Sequence, residues 1–163
     1  MRRKVTAVWL GLIAAVLCSA VTPSRADAEA CTLWSTGLHF MRPYDFLQKT
    51  ADTTIGTIGY TCSGENKNAE VRVDISGGNS GSPLDRYMVN GSARLFYNVY
   101  YLGNYSWIWG DGAQGVDYEK MMDPDASGKF IDTATFLAAI APGQNVKTGL
   151  YDDTLVATLT VEH

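Results

Sequence analysis

The chain has 163 residues, a formal net charge of −4 and 18% charged residues. This length fits one domain with a core of its own and leaves no room for a second one. The acidic balance, with its scattered Lys and Arg residues, excludes a basic nucleic-acid-binding face. No apolar segment approaches the roughly 20 residues that a membrane-spanning helix needs, so we expect no stable membrane insertion.

The first 26 residues have the three-part pattern of a secretory signal peptide. Basic residues at positions 2–4 precede an apolar run over residues 5–16, and small residues follow. We therefore predict a signal peptide over residues 1–26 and one exported domain over residues 27–163. The residues that suit the position before the cut are Ala20, Ala26 and Ala28.

Two cysteines remain after the predicted cleavage, because Cys18 lies in the leader and only Cys31 and Cys62 follow it. In an exported chain, two cysteines are expected to pair with each other. A loop of this length would stabilise the fold by about 3 kcal/mol through chain entropy. Free thiols or metal ligands are the alternative interpretation.

Period-two alternation of apolar and polar residues dominates the exported part, which predicts an all-β sandwich or barrel. A loop rich in Gly and Ser follows the third strand at residues 76–83. The predicted strands are 32–40, 57–62, 71–75, 95–101, 135–140 and 154–161. The segment 135–140 would also suit a helix.

The sequence contains no recognisable catalytic motif, so we predict that the protein is not an enzyme. Only His39 and His163 are available as imidazole bases, and neither a nucleophile elbow nor a paired-histidine metal motif occurs. Tryptophans beside acids are typical of sugar sites, so one possible ligand loop is retained. Its residues are Trp107, Trp109 and Asp111.

The segment 123–128 is similar to the opening of a calcium loop. The twelfth position of such a loop requires a bidentate glutamate, and Ala134 occupies it here. We therefore interpret the segment as a turn, and we expect neither a metal nor a cofactor.

Several short motifs occur in a fixed order along the exported chain. They include Gly56-Thr57-Ile58 before Cys62, then residues 95–100 (Leu-Phe-Tyr-Asn-Val-Tyr), Trp109-Gly110-Asp111-Gly112, and residues 149–154 before the last strand. In this order they resemble the spore coat protein U domain, the subunit type of archaic, Csu-like chaperone-usher pili.

The resemblance implies an incomplete immunoglobulin-like sandwich that lacks its final strand and is completed by donor-strand complementation. The implied partners are a periplasmic chaperone, an outer-membrane usher and neighbouring pilus subunits. Strand addition of this kind combines main-chain hydrogen bonds with side-chain pockets. The implied location is the periplasm in transit and then a cell-surface fibre, with a role in adhesion and biofilm.

The resemblance also places an acceptor groove between the first and last strands. Its predicted apolar residues are Leu33, Leu38, Phe40, Leu155, Ala157, Leu159 and Val161. The residues ahead of Cys31 contain a proline and charges, which makes them a poor donor strand. The sequence therefore predicts a subunit that accepts a strand and donates none, as a tip subunit would.

Three further functions stay open from the sequence. A self-sufficient secreted lectin or adhesin would use the ligand loop and would fold without a chaperone. A secreted glycan hydrolase would use acids of the same loop, and its turnover would disappear when Asp111 is neutralised. A spore-coat or matrix protein would have the same domain without a fibre.

Overall fold

The computed structural model describes residues 3–6, 30–40, 43–64, 68–102 and 104–162. These residues form an all-β sandwich with one turn of 3-10 helix at Gly78–Ser80, which confirms the predicted fold class. The strands of the described part are β1 (Arg3–Thr6), β2 (Ala30–Ser35), β3 (Asp52–Ser63), β4 (Glu70–Ile75), β5 (Tyr87–Asn90), β6 (Ala93–Tyr101), β7 (Tyr118–Met121), β8 (Lys129–Ile140) and β9 (Ala157–Glu162).

The larger sheet has the strand order β2-β3-β8-β6-β5, and every neighbouring pair is antiparallel. Its centre is the long pair β3 and β8, which runs in register from Asp52↔Ile140 to Ser63↔Lys129. Both strands are rich in threonine, isoleucine and aromatic residues, which suit a half-buried pleated surface. Strands β5 and β6 are joined by a tight hairpin in which Gly91 has φ 60°, a conformation that favours glycine.

The smaller sheet has the order β1-β9-β4-β7, again with antiparallel neighbours. In β4, the apolar residues Val71, Val73 and Ile75 are buried, and the intervening charged residues are partly exposed. The inward faces of the two sheets together form one core. Its largest fully buried side chains include Trp109, Tyr60, Leu95, Ile140 and Leu159.

The structure changes the bounds of several predicted strands. The first strand ends at Ser35 and not at Phe40, because Gly37 has φ 71° and the chain leaves the sheet there. The last strand begins at Ala157 and not at residue 154. Just before it, the backbone amide of Val156 donates to the Ser76 hydroxyl at 2.9 Å rather than to a neighbouring strand.

Two short strands of the domain, β5 and β7, were absent from the prediction. Each has four residues, which is too short for alternation to stand out. The ambiguous segment 135–140 is the second half of β8, so the strand interpretation is confirmed over the helical one. The predicted signal peptide lies outside the described residues except for β1, and so do its three possible cleavage sites.

Candidate functional site

An open apolar cavity of about 980 Å³ lies at one side of the sandwich. Residues between 33 and 40, with Pro43 and Tyr44, form one wall, and residues 148–157 form the other. Core residues close the floor between them: Ile58, Ile75, Met88, Leu95, Phe136 and Ile140. We call this cavity the groove.

The β2 wall contributes Leu33, Leu38 and Phe40, all partly buried against the core. A tyrosine fixes the far end of this wall, because the Tyr44 hydroxyl donates to the Ala141 carbonyl at 2.9 Å. The same hydroxyl accepts a hydrogen bond from the Gln144 amide at 2.9 Å. The segment after β2 is thus held to the loop that follows β8, although it belongs to neither sheet.

The opposite wall contributes Leu155 and Ala157. Backbone and side-chain bonds hold this segment in place before β9 begins. The Asp153 carboxylate accepts from the backbone amides of Asn79 and Thr154, each at 2.7 Å, and from the Tyr97 hydroxyl at 2.8 Å. The wall is therefore preorganised, although its apolar side chains face a cavity.

The edge of β9 beside the groove pairs with an extended segment of the chain itself. Strand β1 runs antiparallel to it, with Thr6 opposite Thr158 and Arg3 opposite Val161. The register places Val5 opposite Leu159. This pairing ends at Thr158 and does not include Ala157, the last residue of the groove wall.

The structure brings five of the seven predicted groove residues together around the cavity: Leu33, Leu38, Phe40, Leu155 and Ala157. Leu159 and Val161 continue the same face of β9, but they are buried in the core, at 2% and 8% exposure. Their role is packing between the sheets rather than lining the cavity.

Cys31 and Cys62 form a disulfide that joins β2 to β3 at directly paired positions. The pairing expected from the cysteine count is therefore present. Its consequence is local as well as global, because it fastens the strand that forms one groove wall to the centre of the larger sheet.

The predicted ligand loop separates into three unlike positions. Trp109 is fully buried, and its indole N–H donates to the Val73 carbonyl at 2.8 Å. Trp107 is 55% exposed. Asp111 caps its own turn by accepting from the backbone amides of Ala113 and Gln114 at 3.1 and 2.6 Å. The three side chains do not converge on one ligand position.

The acid-bearing turn at residues 123–128 is organised by its own hydrogen bonds. Asp125 accepts from the amides of Ser127 and Lys129 at 2.9 and 3.0 Å, and from the Ser127 hydroxyl at 2.6 Å. These bonds, chiefly the one from the hydroxyl, lower the pKa of the Asp125 carboxyl. Within the described ranges, no group of three or more His, Cys, Asp or Glu side chains could hold a metal ion.

Two tyrosine hydroxyls share one carboxylate acceptor on the inward side of the larger sheet. The Asp132 carboxylate accepts from the hydroxyls of Tyr60 and Tyr118 at 3.2 and 2.6 Å. Burial, together with this carboxylate, raises the pKa of both tyrosines above their usual range. The tyrosines therefore stay protonated as donors, which satisfies a polar group inside the core.

Arg86 is a polar centre of the core, and the sequence did not reveal this role. It is fully buried, and its guanidinium donates to the carbonyls of Ile75, Ser76, Pro83 and Trp109 and to the Asn98 side chain at 2.8–3.1 Å. Burial lowers its pKa to about 10, which still leaves it charged at neutral pH. The only signal was an arginine immediately before an apolar pair, at Arg86-Tyr87-Met88.

Comparison with known proteins identifies a family and a solved structure of similar fold. The family profile described as Spore Coat Protein U domain matches residues 17–158. A solved structure is similar at 18% identity and a TM-score of 0.52, over 83% of this chain and 40% of that chain. It is a pre-assembly complex of the chaperone CsuC and the tip adhesion subunit CsuE, from the archaic chaperone-usher Csu pili of Acinetobacter baumannii. The chain thus spans less than half of that neighbour, and no curated protein matches it.

Among the described residues, no helix has the length and apolar character needed to cross a membrane.

Proposed function

Because the chain belongs to the Spore Coat Protein U domain family, we propose that it is a structural subunit of a chaperone-usher pilus or surface fibre. Its groove would first accept a strand from a periplasmic chaperone and later one from a neighbouring subunit at the outer-membrane usher. The proposal includes export to the periplasm and then to the cell surface. It assigns the chain no catalytic role.

The observation that carries this proposal is the combination of an apolar cavity with an adjacent strand edge. The cavity lies between β2 and the segment leading into β9, which are at the same side of the sandwich. Burying its apolar walls would stabilise the domain by roughly 25 cal/mol per Å². An inserted strand supplies both the side chains for the cavity and the backbone partners for the edge.

The pairing of β1 with β9 supports the same interpretation from the backbone side. It demonstrates a register in which an extended segment lies antiparallel along residues 158–161. In the predicted mature chain, cleavage would remove β1, and the edge would need another partner because unpaired edges invite aggregation. We propose that the chaperone, and then another subunit, provide it.

We also propose that the subunit accepts a strand without donating one, which is a tip-like position. The support is the composition of the residues before Cys31, where Pro23, Arg25, Asp27 and Glu29 break any apolar alternation. A role in adhesion and biofilm would follow from that position. Purified mature chains that polymerise through their N-termini would refute it.

The first experiment is expression of the full gene in a periplasm with and without the candidate chaperone. We expect degradation or aggregation without the chaperone, and a soluble one-to-one complex with it. A stable monomer without the chaperone would contradict the proposal and would favour a self-sufficient secreted domain.

A substitution inside the groove tests the site directly. Ala157→Asp places a charge in the apolar wall, where no partner is available, and should reduce recovery of the chaperone complex about tenfold or more. Thr158→Asp is the matched control, because the next residue of β9 faces away from the cavity. Equal losses for the two variants would argue against the groove.

A further inference from the structure

The outer faces of the two sheets have opposite character. In the smaller sheet, the outward positions of β4, β7 and β9 include Glu70, Arg72, Asp74, Glu119 and Glu162. In the larger sheet, the outward positions of all five strands carry only two charges, Arg94 and Lys129, at opposite ends of the face. We call the outward side of the larger sheet the neutral face.

The neutral face is ordered in rows that cross the strands. One row is apolar, with Ile55 opposite Leu137 and Leu137 opposite Tyr100. The Tyr105 ring extends this row, with its centroid 5.5 Å from that of Tyr100. Ile55 and Tyr105 are 59% and 58% exposed, which is unusual for a row of apolar side chains in direct register.

Hydroxyl groups occupy the rows beside it. Thr57 pairs with Thr135, Thr61 pairs with Thr32, and Thr133 lies opposite Gly59. These hydroxyls can both donate and accept hydrogen bonds. The neutral face thus has consecutive hydroxyl-bearing rows beside one apolar row, and the exposed Ile131 lies opposite Thr61 in the last of them.

Trp34 forms a second exposed ring, at the far side of this face from Tyr105. Its indole lies across Gly59, where an added Cβ would come within 2.1 Å of the ring. Only glycine therefore allows the indole to rest on the sheet backbone, and the side chain remains 47% exposed. The absence of a side chain at Gly59 builds a flat aromatic platform on β2 and β3.

From these features we infer that the neutral face binds a neutral polysaccharide. Sugar rings present flat C–H faces that stack on aromatic rings, while their hydroxyls match threonine side chains. The two cationic side chains, Arg94 and Lys129, lie at opposite ends of the face, so its centre offers no charge that would select an anionic glycan or nucleic acid. Three strand spacings, about 14 Å, separate β2 from β6, so one ligand that meets both rings must be a polymer.

A second copy of the chain is the competing occupant. Interfaces between proteins concentrate apolar and aromatic residues at a central core within a polar rim. Here the exposed rings Trp34, Tyr105 and Phe96 are spread over β2, the end of β6 and the β5–β6 hairpin, and threonines of β3 and β8 lie among them. This arrangement suits an extended hydroxylated chain better than a self-associating patch. Trp34 also lines the groove, whereas Tyr105 does not.

The test is binding of the exported chain to cellohexaose and chitohexaose, measured by calorimetry on protein recovered from the periplasm in the form it adopts there. We expect measurable binding of at least one hexamer, weaker binding of the trimer and none of an anionic oligogalacturonate. Trp34→Ala and Tyr105→Ala should each weaken it about fivefold through loss of a stacking partner. The matched control is Met121→Ala, which removes a 53% exposed apolar side chain from the charged face.

Several results would overturn the inference. One is the absence of binding to either hexamer, and another is binding that both ring variants leave unchanged while their circular dichroism stays native. A third is a concentration-dependent dimer that Ile55→Lys abolishes, since this would assign the neutral face to self-association. Chaperone capture is measured in parallel, because Tyr105 lies outside the groove and its loss should leave capture unchanged.

Discussion

The two sides of the sandwich differ in how completely the chain fills its own core. Around Arg86 the chain supplies its own partners, and one guanidinium binds five oxygens from four segments. Around the groove the walls are equally well anchored, yet they enclose about 980 Å³ of apolar space. The unfilled apolar space is therefore confined to the groove side of the sandwich, and hydrogen bonds hold the segments that surround it.

Replacing Arg86 is the most severe way to break the closed side. Arg86→Met keeps the bulk but removes the guanidinium donor from four carbonyls and from Asn98 Oδ1, which keeps the Val99 amide, so we expect a loss on the order of 4 kcal/mol in the free energy of unfolding. Denaturant titration of the periplasmic form measures it. The control is Arg94→Met, which removes only a cation–π contact 4.5 Å above Tyr87 and should cost about 1 kcal/mol or less. Similar losses for both variants would deny Arg86 its central role.

Removing the disulfide tests how firmly the groove wall is held. The double variant Cys31→Ser with Cys62→Ser should lose about 3 kcal/mol of stability. Because the bond fastens β2 to β3, the loss should also lower the yield of chaperone complex. Unchanged capture at reduced stability would show that the wall forms without it.

The buried tyrosines should make the fold less stable at high pH. Burial raises the pKa of Tyr60 and Tyr97, so the folded chain keeps protons that the unfolded chain releases near pH 10. The contribution of these tyrosines to stability should be constant below about pH 10 and then fall by up to about 1.4 kcal/mol per pH unit for each of them. Denaturant titration at several pH values measures the slope, and Tyr97→Phe should make it shallower.

Partly filling the groove should have the smallest effect and the opposite sign. Ala157→Leu adds apolar atoms to one wall and should raise the stability of the uncomplemented chain by about 1 kcal/mol. The same change should weaken chaperone capture, because it occupies space that an inserted strand would use. Thr158→Val on the opposite face of β9 is the control. Stronger capture by the leucine variant would contradict this account.

The sequence predicted the sandwich well because period-two alternation is a local property. The pattern in Val71, Val73 and Ile75 already identifies their face as buried, and the cysteine count already identifies the disulfide. The end of β2 was wrong because alternation continues to Phe40, while Gly37 turns the chain out of the sheet.

The Arg86 centre could not be predicted in the same way. Its acceptors are carbonyls at residues 75, 76, 83 and 109, and carbonyls have no identity in a sequence. Trp109 was misleading for a related reason, since a tryptophan beside an acid has the same letters whether its N–H meets a sugar or the Val73 carbonyl. The neutral face required knowledge of register, which pairs Ile55 with Leu137 and Leu137 with Tyr100.

The Arg86 centre also bears on the order in which the domain is assembled. Its hydrogen bonds join the end of β4, the loop before β5, strand β6 and the turn at Trp109, so none of these segments is fully satisfied until all have arrived. That half of the domain should consolidate in a single cooperative event. If the groove exchanges one inserted strand for another, as proposed, the hydrogen bonds of the Arg86 centre would keep the opposite side of the domain folded throughout.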